Sequence, residues 1–225
     1  MTADRMDTEA VEVGRQMTVR SIAALGVGMA LLIGGCSTNR EITRPDPVPV
    51  TDKLINEAVL TVEDLPDGWV ASEEVTPIAT DVIAEHDCDD KLKELEPKEE
   101  GGADFDLGGV HLSNQVAYFP GNGAAVDSLL RDIAEDCKQV VIAEKGLSVR
   151  TLPLDFGVLS DDTLPLRFEL EPTTGPITER DLIVLREGDL VSFVRLTGLR
   201  PSDKTLLDTA VRVSIGNLGL LAEQT

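Results

Sequence analysis

The sequence predicts an α+β domain in which an antiparallel sheet is covered by helices on one side. Apolar residues recur with a period of about two in consecutive segments after residue 148, and short turns separate these segments. Near both ends of the same region the apolar residues recur with a helical period instead. Helices at the ends of a run of strands are typical of α+β domains.

The folded region is predicted to begin with a short helix. Asp52 to Leu60 places its apolar residues on one face, and Thr51 or Asp52 can cap the first turn. Thr61 to Asp64 has the spacing of a single helical turn, and the Pro66-Asp67-Gly68 turn follows it. Trp69 to Val75 is predicted as the first strand. Trp69 itself is assigned to the core, with the wall of a cleft as the alternative.

Two helices and one strand are predicted for the middle of the chain. Asp81 to Glu96 is predicted as a helix that carries Cys88, and the acidic, glycine-rich stretch from Lys98 to Gly109 is expected to be a surface loop. His111 to Phe119 is predicted as a strand by its period of two, with Leu112, Asn114, Val116 and Tyr118 on one side. Ala124 to Cys137 is predicted as a helix whose inward stripe consists of Ala125, Leu129, Ile133 and Cys137.

The last part of the region reads as strands followed by a helix. Arg186-Glu187-Gly188-Asp189 is predicted as a tight hairpin turn in which glycine supplies a positive φ. A final helix is expected to start at Pro201-Ser202-Asp203 and to pack through Leu206, Leu207, Ala210, Val213 and Ile215 or Leu218. The predicted strands are Ser148 to Leu152, Leu164 to Glu171, Asp181 to Arg186 and Leu190 to Thr197.

An uncharged segment near the N-terminus predicts the location of the protein. Ile22 to Gly35 has 14 residues without a charge, about 21 Å as a helix, which is shorter than the roughly 30 Å core of a bilayer. This length is typical of a signal peptide. The segment ends in Leu32-Ile33-Gly34-Gly35-Cys36, the pattern of a lipobox, so Cys36 is predicted to carry lipid after cleavage. The alternative is a buried helix that ends in an ordinary cysteine.

These observations divide the chain into three parts. Residues 1–35 are the predicted signal peptide, and its acidic beginning makes Met17 an alternative start. Residues 36–51 are the lipidated cysteine and a proline-rich, extended linker. Residues 52–225 form one extracytoplasmic domain. The lipid anchor would hold the protein on the outer face of the cell membrane.

Charge and composition exclude several classes of function. The chain has 20 basic and 41 acidic residues; residues 1–35 hold three and four of them, which leaves 17 and 37 and a net charge of −20 in the mature part. Nucleic-acid binding needs clustered lysine and arginine, so it is not expected. The same charge disfavours electrostatic attachment to anionic lipid, so membrane attachment has to come from acyl chains. The sequence does not indicate the oligomeric state.

The remaining two cysteines are predicted to form a disulfide. If Cys36 is lipidated, Cys88 and Cys137 form an even pair in an oxidising compartment, where disulfides persist. Closing a loop of this length stabilises a fold by roughly 4 kcal/mol in the chain-entropy model. The alternative is a pair of buried free thiols.

No pattern in the sequence predicts a catalytic, cofactor or metal site. Glu85-His86-Asp87-Cys88-Asp89-Asp90 is rich in potential ligands, but a zinc site needs a second pair of ligands. Asp104-Phe105-Asp106-Leu107-Gly108 lacks the later ligands of a calcium loop. The two histidines, His86 and His111, would permit a Ser–His–Asp constellation, although nothing selects one.

One stretch and the order of elements carry a family resemblance. Leu60-Thr61-Val62-Glu63-Asp64-Leu65-Pro66-Asp67-Gly68-Trp69 resembles the opening of actinobacterial lipoproteins that carry a PknH-like extracellular sensor domain. The Leu185-to-Val191 hairpin and the positions of Cys88 and Cys137 follow the same order. The resemblance implies a curved antiparallel sheet flanked by helices, with a cleft for an unidentified ligand. It implies no particular ligand residues, and the chain lacks a kinase domain.

Together these predictions describe a lipid-anchored extracytoplasmic protein that is expected to have no enzymatic activity and no cofactor. Its expected partner is a small cell-envelope molecule or an envelope protein. The alternatives are a structural or accessory interaction protein and, in second place, an envelope hydrolase with an unrecognised site. An apolar cleft with few polar groups would favour binding, whereas a histidine near a serine and a carboxylate would favour hydrolysis.

Overall fold

A computed structural model describes residues 48–73, 75, 96–136, 138–157, 162–199 and 204–225 of the chain. They belong to one compact unit, Pro45–Thr225. The lipobox, Cys88, Cys137 and all of the predicted helix from Asp81 to Glu96 except its last residue lie outside the described residues. The class is α+β, because the described residues combine one curved antiparallel sheet with three helices.

In the described residues, eight strands form one sheet in the order β1-β2-β3-β8-β7-β6-β5-β4, and every pair is antiparallel. The three helices are α1 (Asp52–Ala58), α2 (Gly123–Asp136) and α3 (Lys204–Gln224). The strands are β1 (Val70–Ala71), β2 (Glu99–Leu107), β3 (Val110–Tyr118), β4 (Gln139–Ile142), β5 (Leu147–Pro153), β6 (Thr163–Pro172), β7 (Thr178–Glu187) and β8 (Leu190–Leu199).

The sheet joins two runs of consecutive strands along one seam. Strands β4 to β8 follow one another as a meander, whereas β3 pairs with β8, far away in the sequence. Asn114 of β3 is buried at this seam. Its amide donates to the Ser192 hydroxyl at 3.1 Å, and its carbonyl accepts from the Leu60 backbone at 2.8 Å. One buried amide therefore connects both strands to the chain after α1.

The helices lie on both faces of the sheet, so the prediction that they cover one side is wrong. On β8, Leu190, Val194 and Leu196 pack into a core with α1 and α3. Val191 and Phe193 point the other way, into a second core with α2. The strands are apolar on both sides where both cores cover them, which weakens the alternating pattern that the sequence prediction relied on. The two sides are called the α1/α3 face and the α2 face below.

The stretch predicted as a surface loop, Lys98 to Gly109, is mostly strand β2. Its glycines misled the prediction, because glycine is depleted in strands in general. Here the helix α1 crosses close to the strand: a Cβ on Gly101 would lie 2.5 Å from Asn56 Oδ1 and 3.0 Å from Ile55 Cγ2. Glycine at this position therefore permits the packing of α1 on the sheet.

The beginning of the domain agrees with the prediction. Helix α1 starts after Thr51, whose hydroxyl accepts a hydrogen bond from the Leu54 backbone at 3.4 Å. The turn at Val62–Asp64 is fixed by Asp64, whose carboxylate accepts from the Thr61 backbone at 2.8 Å. Trp69 is 4% exposed and packs in the core, as predicted, whereas the strand after it is short.

The later strands and helices that were predicted are present, but their buried residues differ from the prediction. The β7–β8 hairpin is confirmed, and Gly188 has a φ of +60°. Strand β4 was not predicted. Helix α2 buries a stripe shifted by one position from the predicted Ala125 and Leu129, and in α3 Ile215 is 40% exposed. The buried residues are Gly123, Val126, Leu130 and Ile133 in α2, and Leu207, Ala210, Val211, Ser214, Leu218 and Leu221 in α3.

Candidate functional site

A cleft of about 520 Å³ lies beside the β7–β8 turn. Small-molecule sites commonly have volumes of about 300–1,000 Å³, so the cleft is large enough for a small ligand. Four parts of the chain meet there: the segment before α1, the end of β3, the β7–β8 turn and the end of α3. The lining residues are Val48, Pro49, Val50, Tyr118, Glu187, Gly188, Asp189, Leu190, Ala222 and Thr225.

Hydrogen bonds hold the walls of the cleft in place. The amide of Val48 donates to the carbonyl of Gln224 at 3.3 Å, which joins the segment before α1 to the end of α3. On the opposite wall, the carboxylate of Asp189 accepts from the backbone of Gly121 at 2.7 Å and of Gly123 at 3.4 Å. A carboxylate at the start of a helix is favourable, because the first amides of a helix have no partner within the helix.

The approach of α2 to the turn is close. A Cβ on Gly123 would lie 2.2 Å from the carbonyl oxygen of Gly188, a separation that neither backbone can accept without moving. Glycine at the first position of α2 therefore lets the helix and the turn touch. As a result, the turn that lines the cleft is supported from behind by the start of a helix.

The lining combines an aliphatic wall with a few polar groups. Val48, Pro49, Val50, Leu190 and Ala222 supply the aliphatic part. Among the described lining residues the charged side chains are acidic, and lysine and arginine do not occur.

Two polar side chains of the lining are available to a ligand. Within the described part of the chain, the hydroxyl of Tyr118 and the carboxylate of Glu187 have no hydrogen-bonding partner. Glu187 is exposed and Tyr118 is partly buried. Satisfied polar groups add little to binding, whereas groups without a protein partner can bond to a ligand at no loss of an internal bond.

A second group of charged residues, here called the ion-pair strip, lies on the α1/α3 face of β5, β6 and β7. Arg167 contacts Asp181 through two parallel hydrogen bonds, Nε to Oδ1 at 2.6 Å and Nη2 to Oδ2 at 2.7 Å. Its Nη1 lies 3.5 Å from Glu179 Oε2. Arg150 Nε donates to Glu169 Oε2 at 2.9 Å. The three carboxylates of the strip, on Glu169, Glu179 and Asp181, are all buried.

The contacts within the ion-pair strip explain its role. The hydrogen bonds from Arg167 to Asp181 raise the pKa of the Arg167 guanidinium above its usual value, although partial burial opposes the increase. Two-pronged arginine–carboxylate pairs are geometrically demanding and fix neighbouring strands in register. The ion-pair strip is therefore a structural element whose charges are already paired.

A third group, here called the histidine cluster, lies on the α2 face at the end of the β2–β3 hairpin. His111 Nδ1 is 2.8 Å from Asp106 Oδ1, and His111 Nε2 is 3.3 Å from Asp104 Oδ2. Ser113, on the same strand, accepts a hydrogen bond from Arg195 Nη2 at 3.1 Å. Each nitrogen of His111 thus faces a carboxylate, and neither is positioned to take a proton from a serine, as general-base catalysis would require.

The structure also places the predicted metal motifs. Asp104 and Asp106 lie in strand β2 two positions apart and face the same side, so the stretch from Asp104 to Gly108 is a strand and turn rather than a calcium loop. In the described residues, no group of three or more His, Cys, Asp or Glu side chains is arranged to hold a metal ion. The stretch from Glu85 to Asp90, Cys36, Cys88 and Cys137 lie outside the described residues.

The sequence prediction did not find the residues of the cleft. They come from four segments that are distant in sequence, so no local motif connects them. One feature could have drawn attention to the site. Tyr118 is the only tyrosine of the chain and ends a strand just before a turn, and tyrosine is frequent in binding sites because its ring is apolar and its hydroxyl is polar.

Comparisons with known proteins give structural similarities of low sequence identity. No protein-family model matches the chain, and no curated protein matches it in sequence. The extracellular domain of PknH from Mycobacterium tuberculosis is 13% identical, with a TM-score of 0.49; the alignment covers 79% of this chain and 99% of that domain.

Two further solved structures are similar over part of the fold. CalU16 from Micromonospora echinospora is 14% identical with a TM-score of 0.27, and the alignment covers 55% of this chain and 85% of CalU16. A STAR-related lipid transfer protein from Xanthomonas axonopodis is 13% identical with a TM-score of 0.28, covering 70% and 98%. Such identities do not transfer a ligand or an activity, so the site has to be interpreted from its own residues.

Within the described ranges, no helix is both long enough and apolar enough to cross a bilayer.

Proposed function

We propose that this protein is a lipid-anchored extracytoplasmic protein that binds a small molecule in the cleft beside the β7–β8 turn without chemically changing it. The observation that carries the proposal is the cleft itself. Its volume of about 520 Å³ suits a small molecule, its walls are held by hydrogen bonds, and Tyr118 and Glu187 offer polar groups that the described protein residues leave available.

The sequence supports the anchoring part of the proposal. The lipobox ends at Cys36, and two or more acyl chains on that residue would hold the protein stably on a membrane. Val48, in the wall of the cleft, is only 12 positions after Cys36. Even a fully extended chain of that length spans at most about 43 Å. The proposed ligand site would therefore remain close to the membrane surface.

The geometry of the histidine cluster supports binding over hydrolysis. A hydrolase of the Ser–His–Asp type needs a histidine nitrogen that faces the nucleophile. Both nitrogens of His111 face the carboxylates of Asp104 and Asp106, and the hydroxyl of Ser113 is bonded to Arg195 instead.

The test of ligand binding is native mass spectrometry of the full chain extracted from the envelope of its own host. A bound mass that is lost on denaturation is expected. The Val48→Trp variant, which would fill part of the cleft, should lose this mass. The Val141→Trp variant replaces another exposed valine on β4, outside the cleft, and should retain it. Equal retention by both variants would contradict binding in the cleft.

The lipid anchor has a separate test. The Cys36→Ala variant should leave the membrane fraction when the envelope is fractionated, because the acyl chains would have no attachment point. A variant that stays in that fraction would contradict the lipobox interpretation.

The extracytoplasmic location also supports a disulfide between Cys88 and Cys137. Alkylation of the denatured protein without reductant should leave both residues unlabelled, and addition of reductant should label both. Labelling of both without reductant would show that they are free thiols.

The second candidate is an accessory protein that binds another envelope protein. A hollow of about 180 Å³ between α1 and α3 favours it, because Leu54, Leu220 and Leu221 line the hollow and Leu220 is 60% exposed. Exposed apolar patches are frequent at protein interfaces. An empty cleft in the native mass spectrum of a folded protein would favour this candidate.

A further inference from the structure

We infer that the cleft takes a cationic ligand, namely a small molecule in which an amine or quaternary ammonium group is joined to an aliphatic chain. This inference rests on the proposed function and specifies the chemistry of the ligand. It depends on three properties of the lining: the sign of its charges, the difference between its two carboxylates, and its aliphatic wall.

The charges of the lining disfavour an anion. The two charged side chains among the described lining residues are Glu187 and Asp189. The neighbouring base, Arg186, is engaged elsewhere, because it pairs with Asp162 and donates to the carbonyl of Gly188 at 3.4 Å. An anionic ligand would therefore lose water without gaining an opposite charge, which is unfavourable.

The two carboxylates differ in what they can do. Asp189 accepts hydrogen bonds from the backbone of Gly121 and Gly123, so its position is fixed by the fold. Glu187 has no such partner in the described residues, and it is exposed and can turn towards a ligand. Glu187 is therefore the residue expected to pair with the ligand cation, and Asp189 adds a fixed negative charge at the same edge.

The remaining lining completes an ammonium site. The ring of Tyr118 can attract a cation through its π face, and its hydroxyl can accept a hydrogen bond from an amine. Val48, Val50 and Leu190 offer an aliphatic surface to the hydrocarbon part of the ligand. The net charge of −20 over the mature chain also raises the concentration of cations near the protein.

The composition of the chain provides a specific reporter. Tyr118 is the only tyrosine and lines the cleft, whereas Trp69 is the only tryptophan and is buried in the core. Labelling the full chain with fluorotyrosine therefore gives one ¹⁹F NMR signal from the cleft. Labelling it with fluorotryptophan gives one signal from the core, which serves as the internal control.

The experiment titrates the full chain, solubilised in a maltoside detergent, with hexyltrimethylammonium, hexanol and hexanoate. Hexyltrimethylammonium is expected to shift the fluorotyrosine signal at lower concentrations than either other probe, while the fluorotryptophan signal stays in place. Glu187→Gln should weaken this binding by about two- to five-fold, as expected for a partly exposed ion pair. Glu63→Gln, which removes an exposed acid outside the cleft, should have no effect.

The possible contrary results separate the inference from the proposed function. Equal or tighter binding of hexanol or hexanoate at the fluorotyrosine signal would overturn the cationic ligand but leave binding in the cleft intact. Equal weakening by Glu187→Gln and Glu63→Gln would overturn the specific role of Glu187. Binding of hexyltrimethylammonium that persists in the Val48→Trp variant, or no shift with any probe, would overturn both.

Discussion

The ion-pair strip and the cleft both contain carboxylate side chains, but they differ in whether these side chains have partners within the protein. In the ion-pair strip the carboxylates are buried and held by arginine, most closely in the pair of Arg167 and Asp181 at 2.6 and 2.7 Å. In the cleft, Glu187 and the hydroxyl of Tyr118 have no hydrogen-bonding partner among the described residues. The charges of the strip are thus paired within the fold, whereas Glu187 and the hydroxyl of Tyr118 are available to a ligand.

The comparison shows why the density of charge does not locate a binding site in this chain. Acidic residues are abundant throughout, so a cluster of carboxylates by itself carries little information. The useful distinction is whether each polar group already has a partner in the folded protein. This distinction predicts that changes in the ion-pair strip affect stability and that changes in the cleft affect binding.

The largest effect is expected for Arg167→Met. This change leaves Glu179 and Asp181 buried next to an uncharged side chain, and breaking a buried ion pair from one side costs about 3–5 kcal/mol. The free energy of unfolding in urea measures the loss. Binding of hexyltrimethylammonium per folded molecule should be unchanged.

The control for this prediction is Arg212→Ala. Arg212 makes the same two-pronged contact with Asp208, at 2.7 and 2.9 Å, but on the exposed surface of α3. Exposed pairs contribute little, so its unfolding midpoint should not change. If both variants lost the same stability, the distinction between buried and exposed pairs would fail.

A moderate effect is expected for Gly123→Ala. The new Cβ would collide with the backbone of Gly188 and push the β7–β8 turn away from α2. We expect a loss of about 1–3 kcal/mol in the free energy of unfolding, together with weaker binding in the cleft. Gly216→Ala, on an open and exposed part of α3, should instead stabilise the protein by about 0.5–1 kcal/mol.

A smaller effect on stability is expected for Tyr118→Phe. Its hydroxyl makes no hydrogen bond to the described residues, so the free energy of unfolding should change by less than about 0.5 kcal/mol. Binding of hexylamine, which can donate to the hydroxyl, should weaken, and binding of hexyltrimethylammonium, which cannot, should not. A large loss of stability would show that the hydroxyl is used by the fold.

The smallest effect concerns pH and Glu99, which lies outside both regions. A hydrogen bond with Asp52 raises the pKa of Glu99 above 4.5, because the bond requires one of the two carboxyls to be protonated. A raised pKa of an acid stabilises the fold at low pH, and this contribution is lost as the pH rises through the raised value. Glu99→Gln should therefore match the wild type at low pH and unfold at a slightly higher temperature at neutral pH. A lower unfolding temperature at pH 7 would contradict this assignment.

The fold could be predicted well where the residues of a single element form a recognisable local sequence pattern. The β7–β8 hairpin was evident from Arg186 to Asp189, and α3 was evident from its helical period. Strand β2 was missed because its glycines argued against a strand, and Gly101 is explained by the approach of α1, a tertiary contact that no local pattern reveals. The expectation that helices cover only one side of the sheet failed. The sequence of α2 does not indicate which face of the sheet the helix packs against.

The cleft could not be predicted either, because its residues meet only through tertiary contacts. Val48, Tyr118, Glu187 and Ala222 are brought together only by the sheet topology and by the contact of Val48 with Gln224. For the histidine cluster, the residue types suggested a functional site that the structure does not support. Its residue types suggested metal binding or catalysis, but the pairing of both nitrogens of His111 with carboxylates is a property of the β2–β3 register.

The seam between β3 and β8 has a consequence for the order of folding. The contacts of Asn114 with Ser192 and Phe193 join residues almost 80 positions apart, and β8 is the last strand among the described residues. Pairings between distant residues form slowly, because closing the long loop between them costs conformational entropy before the contact is gained. The sheet therefore closes only when its final strand is available. A protein built in this way stays open for most of its synthesis, which would suit export before folding, as the proposed lipid anchor requires.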